Sequence, residues 1–391
     1  MNPPIRSARF YSLDALRGVA ALCVVLWHWQ HFFFVGTTPG AEVVSRLPLA
    51  RVLFAAYTRG ELAVDLFFCL SGFIFYWLYS ERVSRKAISL GRFAQLRFSR
   101  LYPLHLATLL FVAVGQRWMM HAKDCYFVYA INDKLHFAYN LFFISGWGIE
   151  RGFSFNGPIW SVSVEVFLYG LFFALCRFLP MRAVVLAGAA LVGFVLQNTC
   201  EWAIGRGMFA FFVGGCCYLI YQKTSRSPNL RRCALAAGLV AAGAWIVTMA
   251  MIYAGGDAER HVAACLARHV QGLVDGGGVW RIVSRAWMIL VLFPATILSL
   301  ALAETWRGTL GRRVAFLGDV SYSSYLLHFP LQFAVATAVA HWNIDGSIYY
   351  SGWFMTAFFA VLLLLSLGSY RYFEMPAQNF IRRLGKTPGG K

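Results

Sequence analysis

Charge is scarce in this 391-residue chain: Asp, Glu, Lys and Arg make up 13% of it against 59% hydrophobic residues, and the mean hydropathy is +0.59. That balance excludes a soluble globule. Acidic residues are the scarcest, 17 against 35 Lys and Arg. The resulting net charge of +18 would suit nucleic acid, but the basic residues are scattered through short loops between apolar runs. No basic arm or recognition motif accompanies them, so no nucleic-acid partner is expected. Metal-ligand spacing is missing among the nine cysteines, and no metal site is expected. Cys23, Cys69, Cys176, Cys216 and Cys217 lie within apolar runs and read as small packing residues. Cys125, Cys200 and Cys265 lie in or near expected outer connections, where nothing supports a disulfide. Internal repeats and low-complexity tracts are also absent, and Gly385 to Lys391 reads as a frayed tail.

What the chain has in abundance is apolar runs of the roughly twenty residues that cross a bilayer. They fall near 13–35, 61–80, 101–118, 157–178, 183–198, 206–222, 233–254, 286–304, 314–339 and 350–371. An all-α polytopic membrane protein of about ten transmembrane helices is therefore expected. Placing the N-terminus inside puts 22 Lys and Arg in the inner segments and 12 in the longer outer connections. This bias predicts N-in and C-in in an inner (plasma) membrane, with lipid as the surrounding partner. The domain division that follows is a cytoplasmic N-terminus 1–12, a membrane domain 13–376 and a cytoplasmic tail 377–391. The first run is too long for a signal-peptide core and lacks a small-residue cleavage site, so it is expected to stay as the first span. The apolar stretch 138–147 is short and is expected at the outer interface.

Ionisable residues inside such spans are expensive and mark function by default. The first span holds Arg17 and His28. On an α-helix eleven residues make three turns plus about 20° and climb about 16 Å, which stacks both side chains on one face at different depths. One stripe then carries a fixed cation near one surface and a candidate general base near the bilayer middle. Glu165, in Trp160-Ser-Val-Ser163-Val-Glu165, lies about eight residues, some 12 Å, into a span entered from outside. Its depth is similar to that of His28, so it orients the base, binds the acceptor, or pairs with an arginine elsewhere. Ser71 and Gly72 break the second span, for close packing or for backbone approach. Arg97 and Arg100, three apart on one face before Pro103, either anchor the inner surface or hold an anionic ligand. A late run of hydroxyls from Ser321 to Tyr325 leads to a second buried histidine, His328, readable as a structural hydrogen-bonder. Glu374 either pairs with an arginine or meets a ligand.

In this order the segments resemble the membrane acyltransferase family 3, multi-span O-acyltransferases that modify glycans, from Leu13 to Pro376. The Arg-x10-His element is Arg17 and His28, and Phe-Phe-x-Leu-Ser-Gly-Phe is Phe67 to Phe73. The arginines before a Tyr-Pro are Arg97, Arg100 and Pro103. Trp-Ser-Leu-Ser-Val-Glu runs from Trp160 to Glu165 with Val162 in the Leu position. Gly-x-x-Ser-Tyr-x-x-Tyr-Leu-x-His-x-Pro is carried by Gly318, Ser321, Tyr322, Tyr325, Leu326, His328 and Pro330, and Glu-x-Pro by Glu374 and Pro376. One departure is that Val166-Phe-Leu-Tyr169 follows Glu165, where members often carry Gln-Phe-Tyr.

The resemblance implies an acyl-coenzyme A donor, acetyl by family frequency, entering from the cytoplasm. The acceptor would be a hydroxyl of a cell-surface glycan or lipid-linked glycan, approached from outside. It implies a donor site of Arg17, Arg97, Arg100, Ser71 and Tyr322, with His28 and Glu165 catalytic. Asp14, Trp160, Ser163, Ser321, His328 and Glu374 are then substrate-binding or structural. Some relatives carry a fused extracytoplasmic hydrolase-like domain; here the last motif lies about fifteen residues from the end, so transfer is expected from the membrane domain alone or with a separate partner. Alternatives are a small secondary metabolite such as a macrolide as acceptor, or a proton-coupled transporter, which would show inverted repeats and broken helices.

Overall fold

The structure, a computed structural model, describes residues 9–34, 41–254 and 276–384. Cys265 and the segment from Gly385 to Lys391 lie outside the described residues. All regular structure among the described residues is helical. In chain order the helices are α1 (Tyr11–Trp27), α2 (Ala41–Arg46), α3 (Ala50–Arg59), α4 (Ala63–Ser84) and α5 (Leu90–Lys123). They continue as α6 (Lys134–Leu141), α7 (Ile159–Phe178), α8 (Ala183–Thr199), α9 (Ala203–Thr224) and α10 (Leu230–Tyr253). After the gap come α11 (Gly276–Trp287), α12 (Phe293–Arg307), α13 (Phe316–Asp319), α14 (Ser321–His341), α15 (Gly352–Gly368) and α16 (Met375–Leu384).

Seven helical stretches are long and apolar enough to cross a membrane: Ala50–Ser84, Leu90–Lys123, Ile159–Phe178, Ala203–Thr224, Leu230–Tyr253, Val279–Arg307 and Gly352–Leu384. A shorter apolar helix runs over Ala183–Thr199. The expected count of about ten exceeds these seven for a physical reason. Helix α1 has only 17 residues, and serines and histidines dilute the apolar character of α14. Both helices carry candidate site residues. At eight residues, α6 is too short to cross.

The first span corrects one expectation. Its α-helix ends at Trp27, and His28 opens a 3-10 segment, His28–Phe33, so Arg17 and His28 do not share one continuous α-helix. The tighter 3-10 turn re-aims the side chains that follow. Two other irregular turns sit beside prolines. The π-helical turns Met288–Leu292 and Ser369–Glu374 directly precede the Phe293-Pro294 and Met375-Pro376 steps. A proline offers no N–H to the preceding turn and crowds it, and the wider π turn accommodates that.

Two glycine contacts set the packing around the site. A methyl group on Gly72 of α4 would lie 1.8 Å from the Phe211 carbonyl oxygen of α9, and one on Gly214 of α9 would lie 2.0 Å from that of Cys69. Only glycine lets these backbones touch. The Ser71-Gly72 pair thus divides its work, with Gly72 against α9 and Ser71 free for the site. Likewise Gly18 meets Leu317 and Gly318 meets the Asp14 backbone, which pins α13 onto the first turns of α1. Fully buried Phe73, Phe172, Phe211 and Phe212 fill the core between α4, α7 and α9.

Candidate active site

A cavity of about 110 Å³ opens between α1, α4, α5, α7 and α14, and it collects most of the residues singled out from the sequence. Arg17, Arg97 and Arg100 supply the cations, Glu165 the carboxylate, and Ser71, Tyr169, Ser321 and Tyr322 further polar groups. A neighbouring cavity of about 250 Å³ shares Arg100 and Tyr322 with it and adds Asp319, Tyr370, Glu374 and Arg382.

Local structure explains these positions. Ser89 caps α5 by accepting from the Arg92 amide at 3.2 Å, and the helix then runs unbroken through Arg97 and Arg100 into the apolar stretch. Pro103 weakens the turn before it, and the Leu101 carbonyl there accepts the Tyr322 hydroxyl at 2.5 Å. Arg97 donates to the Tyr79 hydroxyl at 2.5 Å and lies over the rings of Phe75 and Tyr79, at 5.1 and 4.9 Å. Its Nε is buried without a partner among the described residues. Arg17 reaches Asp14 at 3.4 Å, and Asp14 also takes Arg9 at 2.5 Å. Three guanidinia therefore face one cavity carboxylate, a surplus that suits an anion with several oxygens.

Glu165 accepts from Ser71 Oγ at 2.5 Å. Among the described residues no hydrogen bond joins it to His28, contrary to the expectation that it orients the base. Beside His28 stands His328 instead, its Nε2 3.0 Å from His28 Nδ1 and the two rings stacked with centroids 4.8 Å apart. His328 Nδ1 lies 2.6 Å from the Tyr325 carbonyl oxygen. A carbonyl only accepts, so this nitrogen carries the hydrogen, and the neutral ring offers Nε2 as acceptor. His28 Nδ1 is then the donor, with the Val24 carbonyl also within hydrogen-bond range of the His28 ring, and in this assignment His28 Nε2 is the acceptor nitrogen. These tautomers follow from the bonding pattern.

Gln332 and His31 complete the cluster and were missed in the sequence. Gln332 donates to the His28 carbonyl at 2.8 Å, and its Oε1 lies 3.2 Å from His31 Nδ1. Gln332 follows His328 by one helical turn, and that i, i+4 spacing was the available signal. Tyr325 links the cluster to the cavity, since it lines the cavity and its carbonyl holds His328. Its hydroxyl donates to the Pro158 carbonyl at 2.9 Å and stands 2.7 Å from Ser161 Oγ.

The remaining candidates are placed as follows. Ser163 donates to the Phe143 carbonyl at 2.5 Å, away from the cavity. Ser321 donates to the Gly318 carbonyl at 2.8 Å while lining the cavity. Glu374, which the π turn presents to α14, accepts from Ser323 at 2.6 Å and Ser369 at 2.8 Å. Trp160 lies under the Arg206 guanidinium at 5.2 Å and lines a separate cavity. Among the described residues no group of three His, Cys, Asp or Glu side chains is arranged to hold a metal ion.

Comparison with known proteins places this geometry. Residues 10–371 match the profile of the family described as an acyltransferase domain. Acyltransferase MdmB of Streptomyces mycarofaciens is 27% identical over 93% of this chain and 88% of its own length. A putative O-acetyltransferase of Staphylococcus aureus is 24% identical over 93% of this chain and 56% of its own. Protein 2 of the picA locus of Rhizobium radiobacter is 38% identical over 29% of this chain and 47% of its own. The chain thus spans about half the length of the last two. No solved structure matches it.

Proposed function

The chain belongs to this acyltransferase family, and from that premise we propose that it moves an acyl group, acetyl by family frequency, from acyl-coenzyme A to the hydroxyl of a cell-surface glycan or its lipid-linked precursor. The protein would sit in the inner membrane with both termini inside, the orientation that the excess of Lys and Arg in the inner segments favours. The donor's phosphates meet Arg97, Arg100 and Arg17 at the cavity, with Arg382 at the adjoining mouth. The pantetheine arm then carries the thioester inward towards the histidines. The transporter alternative has no support from the family or from the named relatives.

The carrying observation is the His28–His328 pair, joined to the arginine-lined cavity by Tyr325, which lines that cavity and whose carbonyl holds His328. A sugar hydroxyl is a weak nucleophile near neutral pH and needs a base within hydrogen-bond reach. The hydroxyl oxygen attacks the thioester carbonyl carbon while its proton passes to His28 Nε2. As the C–S bond breaks, the departing thiolate takes that proton, the acyl ester forms and His28 is neutral again. Direct transfer of this kind needs no acyl-enzyme.

The test is purified protein in proteoliposomes supplied with labelled acetyl-coenzyme A, alongside mass spectrometry of envelope glycans from cells with and without the gene. An added acetyl mass that requires the gene is the expected result. No hydrolysis or transfer of label in vitro and identical glycans in vivo would overturn the reading.

A further inference from the structure

On the far side of Trp160 from the arginine-lined cavity lies a vestibule of about 780 Å³. The 146–153 loop, the junction of α8 with α9, and α11 enclose it. Trp160 and Ser161 are adjacent in sequence, yet the first lines the vestibule and the second the inner cavity. Phe68, which lines the inner cavity, packs on the Trp160 ring with centroids 6.3 Å apart. Trp160 is therefore the partition between the two spaces.

The vestibule's arginines are not all engaged. Arg151, Arg206, Arg281 and Arg285 line it against Glu150 and Glu201. Arg151 is engaged by Asp133 at 2.9 Å; hydrogen bonds from the His136 amide and ring, with Arg151 nearby, hold that carboxyl below its ordinary range. Arg206 donates from Nε and Nη2 to the two oxygens of fully buried Asp65, at 2.7 and 3.0 Å, and to the Glu61 carbonyl at 2.9 Å. The Glu61 side chain lies within electrostatic range of Arg206 and Arg59. Arg285 comes within 4.0 Å of the already bonded Asp65 and lies within electrostatic range of Glu61, and its Nε has no hydrogen-bond partner among the described residues. The exposed Arg281 guanidinium pairs with nothing described. Glu150 is occupied by the Gly148 and Ile149 amides, at 3.1 Å each.

An acceptor group is orphaned here as well. Gln197 is 9% exposed, and its Oε1 has no donor among the described residues. A buried unpaired polar group is costly, so a ligand that satisfies it binds with that energy. The site thus offers guanidinium donors wanting anionic oxygens, a carbonyl wanting a hydroxyl, and the rings of Trp160 and Trp202 for an apolar face. Inorganic phosphate meets only the first demand, and a neutral sugar leaves the first unmet.

We propose that this vestibule binds the acceptor and that the acceptor is a sugar bearing an anionic substituent, a carboxylate or a phosphate. The assignment rests on the acyl-transfer reading and deepens it by naming the substrate class. The anion anchors on Arg281 and Arg285, a ring hydroxyl donates to Gln197 Oε1, and Trp160 stands between the sugar and the thioester.

Full-length protein in lipid nanodiscs is titrated with methyl β-glucuronide, glucose 1-phosphate, methyl β-glucoside and inorganic phosphate, with acetyl-coenzyme A measured on the same preparation. At least one anionic sugar is expected to bind about tenfold or more tighter than the glucoside and inorganic phosphate, and the preferred one identifies the anion. Arg281→Gln, at an exposed position, should remove that advantage about tenfold without lowering the thermal midpoint, whereas Gln197→Leu should weaken all three sugars. Equal binding of the four probes, or an Arg281→Gln variant that keeps the preference, overturns the proposal. Acetyl-coenzyme A binding without any sugar preference overturns only the vestibule, while sugar preference without acetyl-coenzyme A binding overturns the acyl-transfer reading instead.

Discussion

His328 Nε2 stands 3.0 Å from His28 Nδ1, and the hydrogen on His328 Nδ1 is committed to the Tyr325 carbonyl. The pair forms a short relay with one direction. Its anchored end is a backbone carbonyl in the first half of α14, and its open end is His28 Nε2. With these bonds the neutral pair has one tautomer each, which fixes the ring orientation of the proposed base.

Removing the open end removes the base. His28→Ala is expected to lower acetyl transfer about 10² to 10⁴-fold at equal membrane abundance, with acetyl-coenzyme A binding retained. Turnover at the wild-type rate would return His28 to a packing role.

Removing the anchored end leaves His28 in place but frees its tautomer. His328→Ala orphans the His28 Nδ1 donor and should cost about 10 to 100-fold in kcat, with little change in KM. His328→Gln, whose carbonyl oxygen also accepts from Nδ1, should recover part of the loss. The pH profile of kcat separates this role from simple packing, because only a change at the relay moves its acidic limb.

The arginines are tested by geometry rather than charge. Arg97→Lys and Arg100→Lys keep the cation and the inner-face bias but lose the planar fork, so acetyl-coenzyme A affinity should fall in both. Arg97→Lys should also loosen the stack on Phe75 and Tyr79. Unchanged affinity in both variants would make them surface anchors.

Much of this site was legible because charge within an apolar run stands out. Arg17, Arg97, Arg100 and Glu165 were each conspicuous alone, and the structure brings them to one cavity. Their pairing was not legible. Glu165 and His28 have similar expected depths, but depth along the membrane normal says nothing about which helices adjoin. The break at Trp27 escaped too, since the apolar pattern of 13–35 continues through it and a 3-10 turn leaves no compositional mark. Asp65 and Arg206 were passed over because each sits near a span end, where charge is ordinary; only their mutual burial gives them weight. The Ser71-Gly72 pair raised packing and site roles as alternatives, and adjacent residues on different helix faces allow both.

The Gly72 contact leads to a stability prediction. Gly72→Ala places a methyl 1.8 Å from the Phe211 carbonyl oxygen, a backbone atom that cannot rotate away. Helices α4 and α9 must then separate, and overpacking of this kind typically costs about 1–3 kcal/mol. Lower membrane abundance and a lower thermal midpoint are expected, together with weaker donor binding because Ser71 and Glu165 move apart. Gly170→Ala, with open space around its added methyl, serves as the neutral control. Equal loss in both variants would remove the helix contact as the cause.

Orientation joins the donor side to the acceptor side and is testable with cysteines the chain already has. Cys125 and Cys200 are exposed and lie in or beside the connections expected outside, just after α5 and between α8 and α9. Cys233 lies in the first turn of α10, at the inner end of the expected span 233–254. A membrane-impermeant thiol reagent should label Cys125 and Cys200 on intact cells with the outer barrier opened, and Cys233 only on inverted vesicles. Arg100→Cys, in a background with the native cysteines replaced, should follow Cys233, because the proposed donor reaches it from the cytoplasm. The warrant is the charge bias of the loops, which fixes the inner face wherever short connections carry the excess of Lys and Arg. Labelling of Arg100→Cys from outside would reverse the donor side. It would also place the Arg281 vestibule in the cytoplasm, where no surface glycan could enter it.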